Sequence, residues 1–155
     1  ILQLKILHAG YVSKFPLVSR LKSASQKEIP LSMRRINEIF YSLQGEGYHT
    51  GIPAVFVRFS GCNLRCPFCD TQHEEGTLMS DEDIAMEVAK YSTQVVILTG
   101  GEPGLWIDEK LVDALHHERK YVCIETNGTC RLPENIDWVT CSPKRRGENK
   151  SRSYR

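Results

Sequence analysis

The chain has 155 residues, of which 41% are hydrophobic and 25% charged, with a formal net charge of +1; that balance is ordinary for a soluble globular protein. Its length allows one domain with a real core and is short for two, and no stretch approaches the roughly 20 apolar residues that span a bilayer. The near-neutral total hides an asymmetry. Residues 1–32 carry Lys5, Lys14, Arg20, Lys22 and Lys27 against Glu28 alone, and residues 144–155 carry six Lys/Arg against Glu148 alone. Residues 33–143 therefore hold the acidic excess, an acidic body between two basic ends. The first segment has the basic, acid-poor look of a targeting peptide, but Lys5, His8 and Lys14 break its apolar runs. The expected organisation is an upstream or disordered extension over 1–32, a folded domain over 33–144, and a disordered or non-native tail over 145–155.

Met33 opens the folded reading. "RINEIFYS" alternates as a strand should, and "LQGEGYHTG" after it is a glycine-rich loop. "PAVFVRFSG" is a second strand that runs straight into "CNLRCPFCDT". Ser80 with Asp83 three residues on forms a capping-box variant; Ile84, Ala85, Val88 and Ala89 then share one helical face. "QVVIL" has the unbroken apolar character of a strand buried on both sides and ends at "TGGEP". A second helix starts near Asp108 with Leu111, Val112 and Leu115 facing inward, "YVCIE" is a strand ending at "TNGT", and "DWVTC" is another ending at "SPK". Strands alternating with helices give an α/β fold with a parallel sheet, open or curled toward a (β/α) barrel. Four polar motifs follow the C-terminal ends of strands, the edge at which such folds bind ligands.

Cys62, Cys66 and Cys69 are three of the six cysteines, packed into eight residues. Disulfide pairing leaves one over, so a metal centre is the better reading. Two centres compete. Zinc wants a tetrahedron, which His73 would complete as Cys3His; a 4Fe–4S cube held by three thiolates keeps one iron open to a ligand. Cys123, Cys130 and Cys141 read as strand and loop thiols, since free cysteine packs as a small hydrophobe.

"CNLRCPFC" resembles the signature of the radical S-adenosylmethionine enzymes, whose fold is a complete or partial (β/α) barrel, and "TGGEP" resembles their second motif. With "INEIFYSLQGEG", Arg58 four residues before Cys62, "CDT", "LTGGEP", "ETNGT" and "SPK", the chain is similar over residues 33–144 to the 7-carboxy-7-deazaguanine synthase family. The resemblance implies a lyase that converts 6-carboxy-5,6,7,8-tetrahydropterin to 7-carboxy-7-deazaguanine with loss of ammonia, in the synthesis of queuosine and other 7-deazapurines. It implies a 4Fe–4S cluster on Cys62, Cys66 and Cys69, S-adenosylmethionine on the fourth iron, and Mg2+ bound by Thr71. It further implies cofactor contacts from Phe68, Cys69, Asp70, Gly101, Ser142, Pro143 and Lys144. Gly101 also fits by its own chemistry, because a residue without Cβ lets a ligand approach the backbone. Leu43, Gln44, Gly45, Arg58 and Thr99 are the implied substrate residues, Arg58 by forked pairing with a carboxylate, with Glu46, Glu125 and Asn127 as supporting partners. The family also implies a flavodoxin-like or ferredoxin-like reductant, a homodimer and a cytoplasmic location.

Nothing basic on the acidic body calls for direct nucleic-acid binding, and no membrane segment is expected. Two alternatives stand beside this reading: a glycyl-radical-enzyme activating enzyme, for which "SLQGEG" and "CDT" have no purpose, and a non-catalytic zinc-stabilised module. Family members continue beyond the SPK motif with further strands. The barrel is therefore expected to be incomplete, its C-terminal strands missing and the strand "DWVTC" left as an exposed edge.

Overall fold

Runs of β-branched residues flanked by glycine and proline form the centre of the sheet, as their stiff side chains favour. The computed structural model describes residues 2–4, 33–67, 69, 71 and 75–144. Its strands are β1 (Leu2–Leu4), β2 (Met33–Leu43), β3 (Pro53–Phe59), β4 (Thr77–Ser80), β5 (Val95–Gly100), β6 (Tyr121–Thr126) and β7 (Trp138–Cys141), with helices α1 (Asp81–Ala89) and α2 (Glu109–His117). They make one sheet in the order β1-β7-β6-β5-β3-β2-β4. Strands β3, β5, β6 and β7 are mutually parallel; at one side β2 pairs antiparallel with both β3 and β4, so that β4 points the same way as β3, and at the other β1 pairs antiparallel with β7. The α/β architecture of a partial (β/α) barrel is thus present.

The helices cover one face. Val55, Val57, Phe59, Val96, Leu98, Val122 and Ile124 meet Ile84, Val88, Leu111, Val112 and Leu115 in the main core. Ser80 caps α1 in the expected reciprocal box with Asp83, and Asp108 caps α2 by accepting from the Leu111 N–H at 3.1 Å. Ala89, assigned to the buried face of α1, is exposed; Asp81 is buried in its place. No helix among the described residues is long and apolar enough to cross a membrane.

On the opposite face the alternation of β-strands lays out two rungs. Phe40, Phe56, Ile97, Cys123 and Trp138 are register neighbours across five strands and make an apolar floor. Two residues further along each parallel strand, toward their C-terminal ends, stand Arg58, Thr99, Glu125 and Thr140, with Glu38 beside Arg58 on β2. A register irregularity between Ile36 and Glu38 makes this possible. Ile36 packs with the helices, and simple alternation would send Glu38 the same way; the bulge at Asn37 shifts the phase and turns Glu38 and Phe40 to the other face.

One expectation changes, and one element is new. Leu2–Leu4, within the segment read as an extension, pairs antiparallel with β7, so the edge expected to be exposed is covered by a three-residue strand. Strand β4 has no counterpart in the sequence reading; it is held by the Met33–Ile36 end of β2, whose Arg34 partners Met79. The rest of 1–32, and all of 145–155, lie outside the described residues.

Arg34 fastens that corner. Its guanidinium is buried and forks onto Asp81 (Nε to Oδ1 2.8 Å, Nη2 to Oδ2 3.1 Å), pairs with Asp108 at 2.8 Å, and donates to the Trp106 carbonyl. Burial opposes its charge, but the hydrogen bonds to Asp81 and Asp108 outweigh that and hold its pKa above the ordinary value. Arg34→Met is expected to destabilise the fold by about 3–5 kcal/mol, because it strands a buried carboxylate. Denaturant unfolding measures this, and adding Asp81→Leu should return part of the loss; an unchanged midpoint for Arg34→Met would contradict the assignment.

Candidate active site

The loops after β3, β5, β6 and β7 converge at the C-terminal edge of the parallel strands and enclose a cavity of about 360 Å3. Cys62, Cys66, Cys69 and Thr71 line it from the β3 loop, Thr99, Gly100 and Gly101 from β5, Glu125, Thr126 and Asn127 from β6, and Thr140, Ser142 and Lys144 from β7 and beyond. Glu46, from the loop after β2, closes another side.

Two of these loops are stitched backbone to backbone. The Gly101 N–H donates to the Phe59 carbonyl at 3.0 Å and the Glu102 N–H to the Gly61 carbonyl at 2.9 Å. A Cβ on Gly101 would collide with the Gly61 carbonyl, and Gly100 sits at φ +112°, where its Cβ would meet the Phe59 carbonyl. The reason expected for Gly101 therefore changes: the space left by its missing Cβ is taken by the cysteine loop.

Glu102 has no exposed surface. Its Oε1 accepts from the Gly104 N–H (2.9 Å) and the Thr126 hydroxyl (2.7 Å), and its Oε2 from the Asn127 N–H (2.7 Å). One carboxylate thereby fixes the loops after β5 and β6 to each other. Nothing local in "TGGEP" assigns Glu102 this task; the available signal is an acid two residues beyond the end of a buried strand.

The three cysteines differ in environment. Cys62 is buried, Cys66 half-buried and Cys69 exposed. Burial raises the Cys62 pKa, with the negative charges of Glu102, Cys66 and Cys69 adding to it and the Leu64 N–H opposing. Among the described residues no three His, Cys, Asp or Glu side chains are grouped to hold a single metal ion; His73 lies outside the described residues, as do Phe68 and Asp70. Beneath the cavity, burial and then Asp137 and Glu125 push the Cys123 thiol up to about 12, in keeping with a core thiol.

The polar rung forms a relay. Glu125 accepts from the Thr99 hydroxyl on Oε2 and from the Gln44 amide on Oε1, both at 2.7 Å. Gln44 is buried, and its Oε1 accepts from the Glu46 N–H at 3.2 Å. The Gln44–Ile52 loop folds over the floor, with Tyr48 stacked on Trp138 at 5.0 Å and His49 edge-on to the same ring. Leu43, Gln44 and Gly45 line an adjoining open groove with Phe40, Ser42 and Phe56, and Glu46 belongs to both depressions. Arg58 stands on the site face but does not line the main cavity. Its Nε donates to Glu38 at 2.7 Å, and its guanidinium lies 5.5 Å from the Phe40 ring centre. Pro143 lines neither depression.

Residues 56–139, over half the chain, match the Radical SAM superfamily. The chain belongs to that superfamily, which implies a 4Fe–4S cluster and S-adenosylmethionine. Within it, the chain is similar to the 7-carboxy-7-deazaguanine synthase of Bacteroides thetaiotaomicron, at 76% identity over 112 residues that cover 72% of this chain and 62% of the relative. The synthase of Nitratidesulfovibrio vulgaris is 44% identical over 135 residues, 71% of this chain and 62% of the relative. The crystal structure of QueE from Escherichia coli superposes with a TM-score of 0.70 and 32% identity, over 84% of this chain and 70% of that one. The chain thus spans about three fifths of the length of these two curated relatives.

Glu102→Gln tests the buried carboxylate. An amide can keep one pair of acceptor contacts but must face another donor with its own NH2, so a loss of about 1–3 kcal/mol in unfolding free energy is expected. Chemical denaturation measures it, and a wild-type midpoint would show that the loops do not depend on this group.

Proposed function

We propose that the chain carries the active site of a radical S-adenosylmethionine lyase that converts 6-carboxy-5,6,7,8-tetrahydropterin to 7-carboxy-7-deazaguanine with loss of ammonia. The observation that carries this reading is that three thiols of one loop and the Thr99–Glu125 pair of the polar rung open onto a single cavity. The donor set suits the cofactor: three cysteines are the number that leaves one iron of a cube free. When bound, the cluster and S-adenosylmethionine supply a carbon radical able to take hydrogen from unactivated carbon.

The protein's part is holding and orienting. Cys62, Cys66 and Cys69 hold the cluster, and Gly101, Ser142 and Lys144 border the place of S-adenosylmethionine, with Phe68, Asp70 and Pro143 as further cofactor contacts. Lys144 Nζ donates to Ser142 Oγ at 2.9 Å, which steadies both at the rim. Gln44 and Thr99, tied to the two oxygens of Glu125, present a ready-made donor and acceptor edge to a planar heterocycle; Leu43 and Gly45 continue that edge.

Arg58 is the partner for the substrate carboxylate. Glu38 engages its Nε, which leaves the two terminal nitrogens for a second anion. Thr71, beside the third cysteine, is the protein ligand to Mg2+, with substrate oxygens supplying others. The flavodoxin-like or ferredoxin-like reductant, a homodimer and a cytoplasmic location belong to the same proposal.

Anaerobic reconstitution tests the division of labour. Alanine at Cys62, Cys66 or Cys69 should abolish iron and acid-labile sulfide incorporation. Arg58→Ala and Thr71→Ala should keep the cluster and reductive cleavage of S-adenosylmethionine, yet lose pterin turnover, for Arg58 by about 2–5 kcal/mol, roughly thirtyfold to several thousandfold. Wild-type pterin turnover in either variant would remove that residue from the substrate site.

A further inference from the structure

Between the cysteine loop and the loop after β6 runs a closed ring of side-chain hydrogen bonds. The Asn127 amide Nδ2 donates to Asn63 Oδ1 at 3.1 Å, Asn63 Nδ2 donates to the Thr129 hydroxyl at 2.7 Å, and that hydroxyl donates to Asn127 Oδ1 at 2.6 Å. All three bonds point the same way round, an arrangement in which each strengthens the next. The Thr129 N–H also donates to Asn127 Oδ1, at 3.0 Å. Two donors on that oxygen fix the amide orientation, since the reverse would set the NH2 against both. The Asn127 backbone N–H is itself held by Glu102.

One amide hydrogen remains after the ring is closed. Asn127 Nδ2 lies 4.0 Å from Cys62 Sγ, within reach of a hydrogen bond to sulfur. Cys62 is the buried member of the three cysteines, so a donor there acts in a weaker dielectric than one at the exposed Cys69 would. Its sulfur also accepts from the Leu64 N–H at 3.4 Å. Asparagine is the fitting residue, because one side chain must accept from Thr129 while donating to both Asn63 and a thiolate.

We propose that Asn127 is a positioning residue whose side-chain N–H donates to Cys62 Sγ and raises the reduction potential of the cluster that Cys62 holds. The inference rests on the cluster assignment made above. Its chemistry is that a donor to a cluster sulfur stabilises the more negative, reduced state, so removing the donor lowers the potential. Asn63 and Thr129 act through Asn127, by holding its amide in register.

The test uses the full chain, reconstituted anaerobically, with iron and sulfide content measured first and the cluster titrated against potential by electron paramagnetic resonance. Asn127→Leu, branched at Cγ like asparagine but without an N–H to donate, should shift the midpoint to more negative potential at unchanged iron content. It should also remove one exchangeable-proton coupling from the reduced cluster's spectrum in deuterated against ordinary water. Thr129→Val keeps the amide but frees it from the ring, and should shift the midpoint the same way by a smaller amount. Should Asn127→Leu fail to assemble a cluster, Thr129→Val decides alone. Midpoints that coincide with the parent chain's in the variants that assemble overturn this inference and leave the cluster assignment standing; a parent chain that takes up no iron and sulfide overturns both.

Discussion

A carboxylate with no exposure to water organises the ligand-binding edge of this fold. Glu102 is anionic chemistry placed where desolvation is costly, and it is tolerable because three donors converge on its two oxygens. The donors come from its own turn and from the loop after β6, while its backbone N–H holds the cysteine loop through Gly61. Three loops widely separated in sequence therefore share one anchor. Loops at a sheet edge ordinarily move against one another; here the cysteine loop is bound on one side by backbone hydrogen bonds and on the other by the ring through Asn63, Asn127 and Thr129. A centre that must receive a cluster and a cofactor at fixed separation needs that kind of preorganisation.

The second requirement is that one sheet serve two purposes, and period-two alternation supplies it. Odd and even positions of β3, β5 and β6 send aliphatic side chains to the helices and a floor-plus-rung pattern to the site. The bulge in β2 is what lets an antiparallel strand join this scheme, since it brings Glu38 to Arg58 across the strand pair while Arg34 and Ile36 stay with the helices. The same strand thus contributes the buried Arg34 on one face and Glu38, the partner of Arg58, on the other.

Much of this was legible in the sequence for identifiable reasons. "VVIL" and "VCI" could hardly be anything but buried strands, Ser80 and Asp108 announce their helices through backbone capping, and three closely spaced cysteines have few uses. What escaped depends on contacts between distant residues. Strand β4 carries no strong pattern of its own and exists because the Met33–Ile36 end of β2 pairs with it. The pairing of Arg58 with Glu38 depends on a one-residue register shift that alternation alone does not foretell. Gly101 looked like an opening for a ligand, whereas its missing side chain is required by the Gly61 carbonyl. The covering of β7 by Leu2–Leu4 joins segments more than a hundred residues apart, which no local signal encodes.

Electrostatics then explain why the pieces suit each other. Glu46 and Glu125 line the cavity, Glu102 lies against its loops, and the three cysteines add negative charge whenever they ionise, while Lys144 is the basic side chain among the described lining residues. Burial, helped by the negative charges of Glu102, Cys66 and Cys69, raises the Cys62 pKa. Iron bound there would oppose that shift, because a cation stabilises the thiolate. An acid-lined cavity favours cationic ligands, and S-adenosylmethionine, the cofactor the superfamily implies, carries a sulfonium and an ammonium group. Arg58, paired with Glu38, adds little net positive charge to that face of the sheet. An arginine left without that partner would set an uncompensated positive charge on the same face of the sheet as the acidic lining.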